Sequence, residues 1–239
     1  MNFKWKLGVL IFFIATSSYF VTIYARSYWH PLYLNMTGKR TTNEVINEIG
    51  PKVEPQLKSL FQAVNLNYPP NKLAFYAIKN SKLMELWAKH ENHWKKVKTY
   101  PILKTSGQLG PKLREGDRQV PEGIYKIIGL NPNSAYHLSM KLNYPNDFDL
   151  EKAKSEGRDQ PGSNIFIHGK EVSIGCLAMG DNSIEELFTL VYRVGWQNTE
   201  VIISPSDARI ETPKIPPKAP IWTSELYQQI VTASRKYKE

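Results

Sequence analysis

The short strands of the sequence permit a mainly β fold (α+β) with flanking helices. Three observations carry this: short apolar runs recur through the middle of the chain, clusters of Gly, Pro and Asn separate them, and helical spacing is concentrated toward the ends. Helices then cover a sheet built from the short runs.

The first thirty residues read as a signal segment. Lys4 and Lys6 precede an apolar stretch over residues 7–24, the charge order of a segment whose N-terminus stays in the cytoplasm. The stretch is long for a cleaved signal and just long enough to cross a bilayer core. Ile23-Tyr24-Ala25 is a poor small-x-small cleavage site. The reading is an uncleaved inner-membrane anchor over residues 7–24, with Tyr28 and Trp29 as interfacial aromatics and the remainder in the periplasm.

Residues 41–66 read as a helical extension. Val45, Ile46, Ile49, Val53, Leu57, Leu60, Phe61 and Val64 recur at three- and four-residue spacings, and Thr41 with Glu44 fits a capping box. Gly50-Pro51 is expected to break the run, with Pro51 opening a second helix. Residues 73–78 and 83–87 then read as two strands joined by a turn at Asn80-Ser81. Residues 97–103, 123–128 and 135–142 are further strands. Between them, residues 107–123 carry four glycines, two prolines and several charges, too polar a segment for core, and are expected to form a long functional loop. Ile165-Phe166-Ile167 is a short buried strand leading into His168. Ser183 with Glu186 suggests a second capping box, followed by Ile184, Leu187, Phe188 and Val191 on one helical face. Val201-Ile202-Ile203 closes the strands. Over residues 206–239, prolines 213, 216, 217 and 220 form an extended linker to a short helix starting near Thr223.

Composition narrows the partners. Apolar content of 41% and aromatic content of 12% suit a packed core rather than disorder. The net charge is +9, to which Lys4, Lys6 and Arg26 contribute three. A basic exported domain meets anionic lipid, nucleic acid or acidic wall polymer. The chain has no helix-turn-helix, zinc-finger or RNA-recognition motif, so nucleic acid is disfavoured and the wall polymer preferred.

The chemistry centres on one residue. Cys176 is the sole cysteine, so it has no intramolecular disulfide partner in an oxidising compartment. It is either an inert buried side chain or a thiol kept for its reactivity. His168 lies eight positions earlier, and an imidazole can take a thiol proton and hold the thiolate. Eight extended residues would span roughly 26–29 Å, so the chain must fold back, which Gly169 and Gly175 permit. Ser173 can bond the histidine or the loop backbone. The amides of Gly175 and Cys176 are candidate oxyanion donors.

The string His168-Gly169 followed by Ser173-x-Gly175-Cys176 resembles the active-site signature of the L,D-transpeptidase (YkuD-type) family. Upstream runs agree in order: Tyr100-Pro101-Ile102, Gly110-Pro111-Lys112, Glu115-Gly116-Asp117, Pro121-Glu122-Gly123-Ile124-Tyr125, then Leu138-Ser139 and Asn143-Tyr144-Pro145-Asn146. The short His-to-Cys spacing and Ala178-Met179 are similar to the YafK-like branch. The resemblance implies a mixed β-sandwich catalytic domain over residues 71–205, acting on peptidoglycan stem peptides without cofactor or metal. It implies a thioester at Cys176, His168 as proton donor and acceptor, a Gly169 carbonyl that orients the imidazole, and Ser173 at the motif's Ser/Thr position. The acyl group passes to an amine or to water, which includes cleavage of a lipoprotein–peptidoglycan link. Two departures bear on the acceptor: Ile174 stands where the family usually has a second histidine, and the arginine common after the cysteine is absent.

His137, Tyr144 and Lys112 are candidate substrate contacts, Lys112 for a stem-peptide carboxylate. His90 and His93 offer too few ligands for a metal site. Glu115/Asp117 and Asp147/Asp149 read as ordinary loop acids rather than glycosidase pairs. The rival to an enzyme is a non-catalytic, basic wall-binding module in which Cys176 is a packed remnant.

Overall fold

Leu73–Ile78 (β1) is buried at every position, as expected of a strand covered on both faces. In the computed structural model, which describes residues 3–238, β1 lies inside an eight-stranded mixed sheet. The others are Leu83–His90 (β2), His93–Pro101 (β3), Gly123–Ser134 (β4), His137–Leu142 (β5), Phe166–His168 (β6), Leu177–Ala178 (β7) and Thr199–Ser204 (β8). The spatial order is β3-β2-β1-β8-β4-β5-β6-β7. Only β1/β8 and β6/β7 run parallel. The expected architecture of a mixed sheet flanked by helices is the one observed.

The alternation of side chains sorts the core into two layers. Leu73, Phe75 and Ala77 of β1, with Val201 and Ile203 of β8, face one cluster. Ala74, Tyr76 and Ile78, with Ile202, face the other. Helices Thr42–Ala63 (α3) and Asp181–Val194 (α5) contribute to the first layer. The C-terminal helix Thr223–Ser234 (α6), with Tyr237 beyond it, contributes to the second. These elements form one compact unit from Thr42 onward; Phe3–Tyr24 (α1) and Arg26–Thr37 (α2) belong to a separate unit ending at Thr41.

The structure corrects several expectations. Gly50-Pro51 does not end the first helix, because α3 runs on through Pro51 and Pro55. An interior proline costs about 3 kcal/mol. The stripe Val45, Ile46, Ile49, Val53, Leu57 and Phe61 is fully buried, and at about 1.5–3 kcal/mol per side chain it outweighs both. The Ser183/Glu186 capping box does not form: α5 begins at Asp181 behind Gly180, without a side-chain cap. Glu186 is instead buried, accepting hydrogen bonds from Lys98 Nζ (2.7 Å) and Tyr100 Oη (2.8 Å).

Asp147 and Asp149, expected on a loop, lie on a helix, Asp147–Ser155 (α4), whose capping box pairs Asn146 with Asp149. The segment 107–123 is irregular, as expected, but parts of it are buried. Lys79 Nζ donates to the carbonyls of Gln108 and Val120 and to Glu122 Oε1, at 2.9, 3.0 and 2.8 Å. Each charge is paired, which makes its burial tolerable.

Helix α1 covers the expected anchor at 7–24. Among the described residues no helix is long and apolar enough to cross a membrane. The anchor reading falls partly on side chains outside the described residues, at 8, 19, 20 and 22–24.

The capping box of α4 yields one stability prediction. Burial raises the Asp149 carboxyl to about 6, against hydrogen bonds from Asn146 and Tyr125 that pull it down. A raised acid binds its proton more tightly when folded, so its contribution is complete at low pH and is lost as pH rises through 6. Asp149→Asn should therefore melt progressively higher than wild type between pH 4 and 7, by as much as about 3 kcal/mol at neutral pH. Thermal melts across that range check this, and a pH-independent difference would refute it.

Candidate active site

The fold brings His168 and Cys176 together by pairing short parallel strands. β6 and β7 are in register at Ile167↔Leu177 and His168↔Ala178. Ile167 and Leu177 point into the core. By alternation, Phe166 and His168 share the opposite face, where Cys176 arrives beside Phe166. The intervening chain reverses through Lys170, at φ 56°, and Gly175, at φ 123°. Gly169 serves differently from the expectation. Its φ is not positive, but a Cβ there would sit 2.8 Å from both Asp181 Oδ1 and the Tyr136 carbonyl. Close approach, rather than backbone freedom, calls for glycine.

His168 is 2% exposed. Its Nδ1 lies 2.6 Å from the Gly169 carbonyl oxygen. A carbonyl only accepts, so Nδ1 carries the proton and Nε2 is left as the basic nitrogen. Burial lowers the imidazole's affinity for a second proton, partly offset by the Gly169 carbonyl. The Tyr136 ring lies against the imidazole, centroids 4.8 Å apart.

Cys176 is half-buried. Burial pushes its thiol up to about 11, against the backbone of Phe166 and the charge of Lys112, which pull it down. Sγ lies 3.9 Å from the Asn164 carbonyl oxygen. Thiol and imidazole wall the same cleft of about 490 Å³, with Lys112, Arg118, Tyr136 and Ile174 around them. Both groups rest neutral. Alkylation by iodoacetamide should therefore rise about tenfold per pH unit from 7 to 10. A rate already level below pH 8 would reveal a preformed thiolate–imidazolium pair and contradict this.

Ser173 bonds the loop backbone and not the histidine. Its Oγ donates to the Cys176 carbonyl (2.6 Å) and accepts from the amides of Cys176 (3.1 Å) and Gly175 (3.4 Å). The two amides expected as oxyanion donors are thus engaged by Ser173 in this conformation.

The remaining candidates fall into different places. Lys112 lines the cleft but is buried, ion-paired to Asp117 and donating to the Arg114 carbonyl at 2.8 Å. Tyr144 lies beneath the loop, donating to the Pro161 carbonyl at 2.8 Å. His137 pairs with Glu185 of α5 at 2.9 Å, and its neighbour Tyr136 is the residue that lines the cleft.

The cleft residues with no role expected from the sequence include Arg118, Tyr136 and Asn164. Arg118 and Asn164 have φ of 54°, and His137, next to Tyr136, has φ 74°. Such conformations are uncommon outside glycine and cluster at functional sites. The sequence held a faint signal only for Arg118, a basic residue in a loop already expected to be functional.

The last two strands of a mixed sheet thus bring an imidazole at the end of β6 and a thiol just before β7 into one cleft. The L,D-transpeptidase catalytic domain (YkuD) family matches residues 71–203, and the chain belongs to that family. Over 115 residues it is 36% identical to YafK of Escherichia coli strain K12, provisionally named an L,D-transpeptidase; the match takes in 47% of this chain and 44% of YafK. The aligned stretch thus spans less than half of that relative. Solved structures that resemble it include the helical cell shape determining protein Pgp2 of Campylobacter jejuni, at 21% identity and a TM-score of 0.48 over 70% of this chain and 56% of that one. Bdellovibrio bacteriovorus Bd1075 is similar at 19% identity and a TM-score of 0.43, over 71% and 56%.

Proposed function

We propose that this chain forms a thioester between Cys176 and a peptidoglycan stem peptide, and passes the acyl group to an amine or to water. The observation that carries the reading is the sharing of one cleft by the chain's sole thiol and a buried imidazole whose free nitrogen is Nε2. As Sγ bonds to the stem-peptide carbonyl carbon, its proton passes to Nε2 of His168. Collapse of the tetrahedral adduct breaks the amide bond, and the departing amine takes that proton. The acceptor nitrogen or oxygen then bonds to the thioester carbon and gives its proton to His168; the S–C bond breaks, and the released thiolate takes that proton back.

Proton transfer from a thiol near 11 to a desolvated imidazole is uphill in the free protein, so substrate must complete the ion pair. Ser173 and Gly175 hold the turn that presents the thiol. Arg118 is exposed at the cleft and its side chain has no ion-pair partner among the described residues, whereas the charge of Lys112 is paired with Asp117. This makes Arg118 the better partner for a stem-peptide carboxylate. A packed remnant would keep its cysteine away from solvent, and a half-buried Cys176 on a cleft disfavours that rival.

For the acceptor, Ile174 supports water. It is 72% exposed on the cleft wall, and an apolar side chain offers no hydrogen bond to an incoming amine. The proposed outcome is hydrolysis of an existing link, including release of a wall-bound lipoprotein, in a periplasmic protein tethered to the inner membrane through residues 7–24. The full chain should be incubated with stem-linked lipopeptides and with tetrapeptide donors, and the products weighed. Released lipopeptide is the expected result. New diaminopimelate–diaminopimelate cross-links without release would overturn the hydrolytic outcome.

A further inference from the structure

A second concavity, of about 630 Å³, shares no lining residue with the cleft. It includes Trp94, Ile124 and Phe148, which pack on the second core layer, the α6 side of the sheet. Four lysines line it, Lys72, Lys89, Lys126 and Lys236, against two acids, Asp147 and Glu200. Lys236 is already bound to Glu200 at 2.7 Å. Lys72, Lys89 and Lys126 have no carboxylate partner among the described residues, and Lys72 and Lys126 are exposed. A cluster of like charges left uncompensated in a hollow costs self-repulsion and favours an anionic occupant.

The other lining groups say what kind of anion. Asn143 uses Oδ1 to accept the Lys126 amide at 2.7 Å, which leaves its Nδ2 donors for a ligand. Gln197 is exposed at the same wall. Amide side chains beside an aromatic ring suit a chain of hydroxyls, amides and carboxylates. The lysines supply the charge and the amides the hydrogen-bond pairing. A flat lipid surface presents phosphates but cannot enter a hollow.

We infer that this groove is a second binding site for the wall polymer, one that holds a stem peptide of a neighbouring repeat by its carboxylates while the cleft engages another. The inference rests on peptidoglycan being the substrate. Its consequence is that attachment to polymer and chemistry on a short peptide are separable. Multivalent engagement raises retention on an insoluble polymer without any new contact at the reacting bond.

The test uses the full chain carrying Lys72→Glu and Lys126→Glu. In a Cys176→Ala background, which leaves the polymer intact, binding to insoluble purified sacculi is measured by co-sedimentation. The double charge reversal should weaken it about tenfold, the effect of losing two exposed ion pairs and facing two repulsions. With Cys176 present, turnover of a soluble stem-linked lipopeptide should be unchanged. A control carrying Lys214→Glu and Lys218→Glu, exposed residues outside the groove, makes the same change in net charge and should bind sacculi as wild type does. The inference is overturned by unaltered sacculus binding in the groove variant, or by an equal loss in the control, which would mean diffuse attraction. It is likewise overturned if the groove variant loses binding to phosphatidylglycerol vesicles and keeps binding to sacculi. Should no variant, wild type included, turn over the lipopeptide, the proposed chemistry fails while the sedimentation result still decides the groove.

Discussion

Cys176→Ala is expected to abolish turnover, by on the order of 10⁶ in rate, and to leave the fold nearly as stable as wild type. The two halves of this result have separate causes. No other thiol in the chain can replace the lost one, because Cys176 is the sole cysteine. The fold loses little because the sulfur is half-buried and its contacts are weak, a 3.9 Å approach to the Asn164 carbonyl and the backbone of Phe166. Removing it opens no sealed cavity, so the stability cost should be about 1 kcal/mol or less. Intact-mass measurement should show a stem-peptide adduct on wild type and none on the variant, and melting curves should nearly coincide. An alanine variant that still releases product would sink the covalent mechanism, whatever the family.

Much of this fold was legible in the sequence because its signals were local. β1 and β8 are apolar runs bounded by turn residues, and α3, α5 and α6 each show a helical stripe. The errors came where tertiary burial overrode local preference. Pro51 reads as a helix breaker, yet six buried side chains hold α3 through it. Ser183 and Glu186 read as a cap, yet Glu186 is drawn inward by Lys98 and Tyr100, residues more than eighty positions away. The same holds at the site. The proximity of His168 and Cys176 followed from a motif and two glycines. That His137 turns to Glu185 on α5, while Tyr136 lies on the imidazole, depends on how β5 meets α5. No spacing in the chain encodes that. The engagement of the Gly175 and Cys176 amides by Ser173 was equally out of reach, since it arises from the shape of the turn.

Removing the imidazole of His168 should slow acylation by about 10² to 10⁴, the usual worth of a positioned acid–base group; removing that of His137 should cost far less. The two histidines make an internal comparison because they lie close together and do different things. His168 is nearly inaccessible, its Nδ1 is held by the Gly169 carbonyl, and Nε2 remains as a base on the cleft. His137 spends its Nε2 on Glu185, so its loss should appear mainly as about 1 kcal/mol of stability. Cutting away a buried ring could also loosen the site, so His168→Gln is the companion variant: it retains bulk and a donor for the carbonyl but cannot accept a proton. If His168 acts as the base, both substitutions slow acylation at neutral pH. In both, the rate should recover partly as pH approaches the thiol's value near 11, where hydroxide replaces the imidazole. A packing role would give a deficit in His168→Ala that His168→Gln restores and that pH does not change. Acylation rates that fall equally in His137→Ala and His168→Ala, or further in the former, would reverse the assignment and make His137 the residue that governs the thiol.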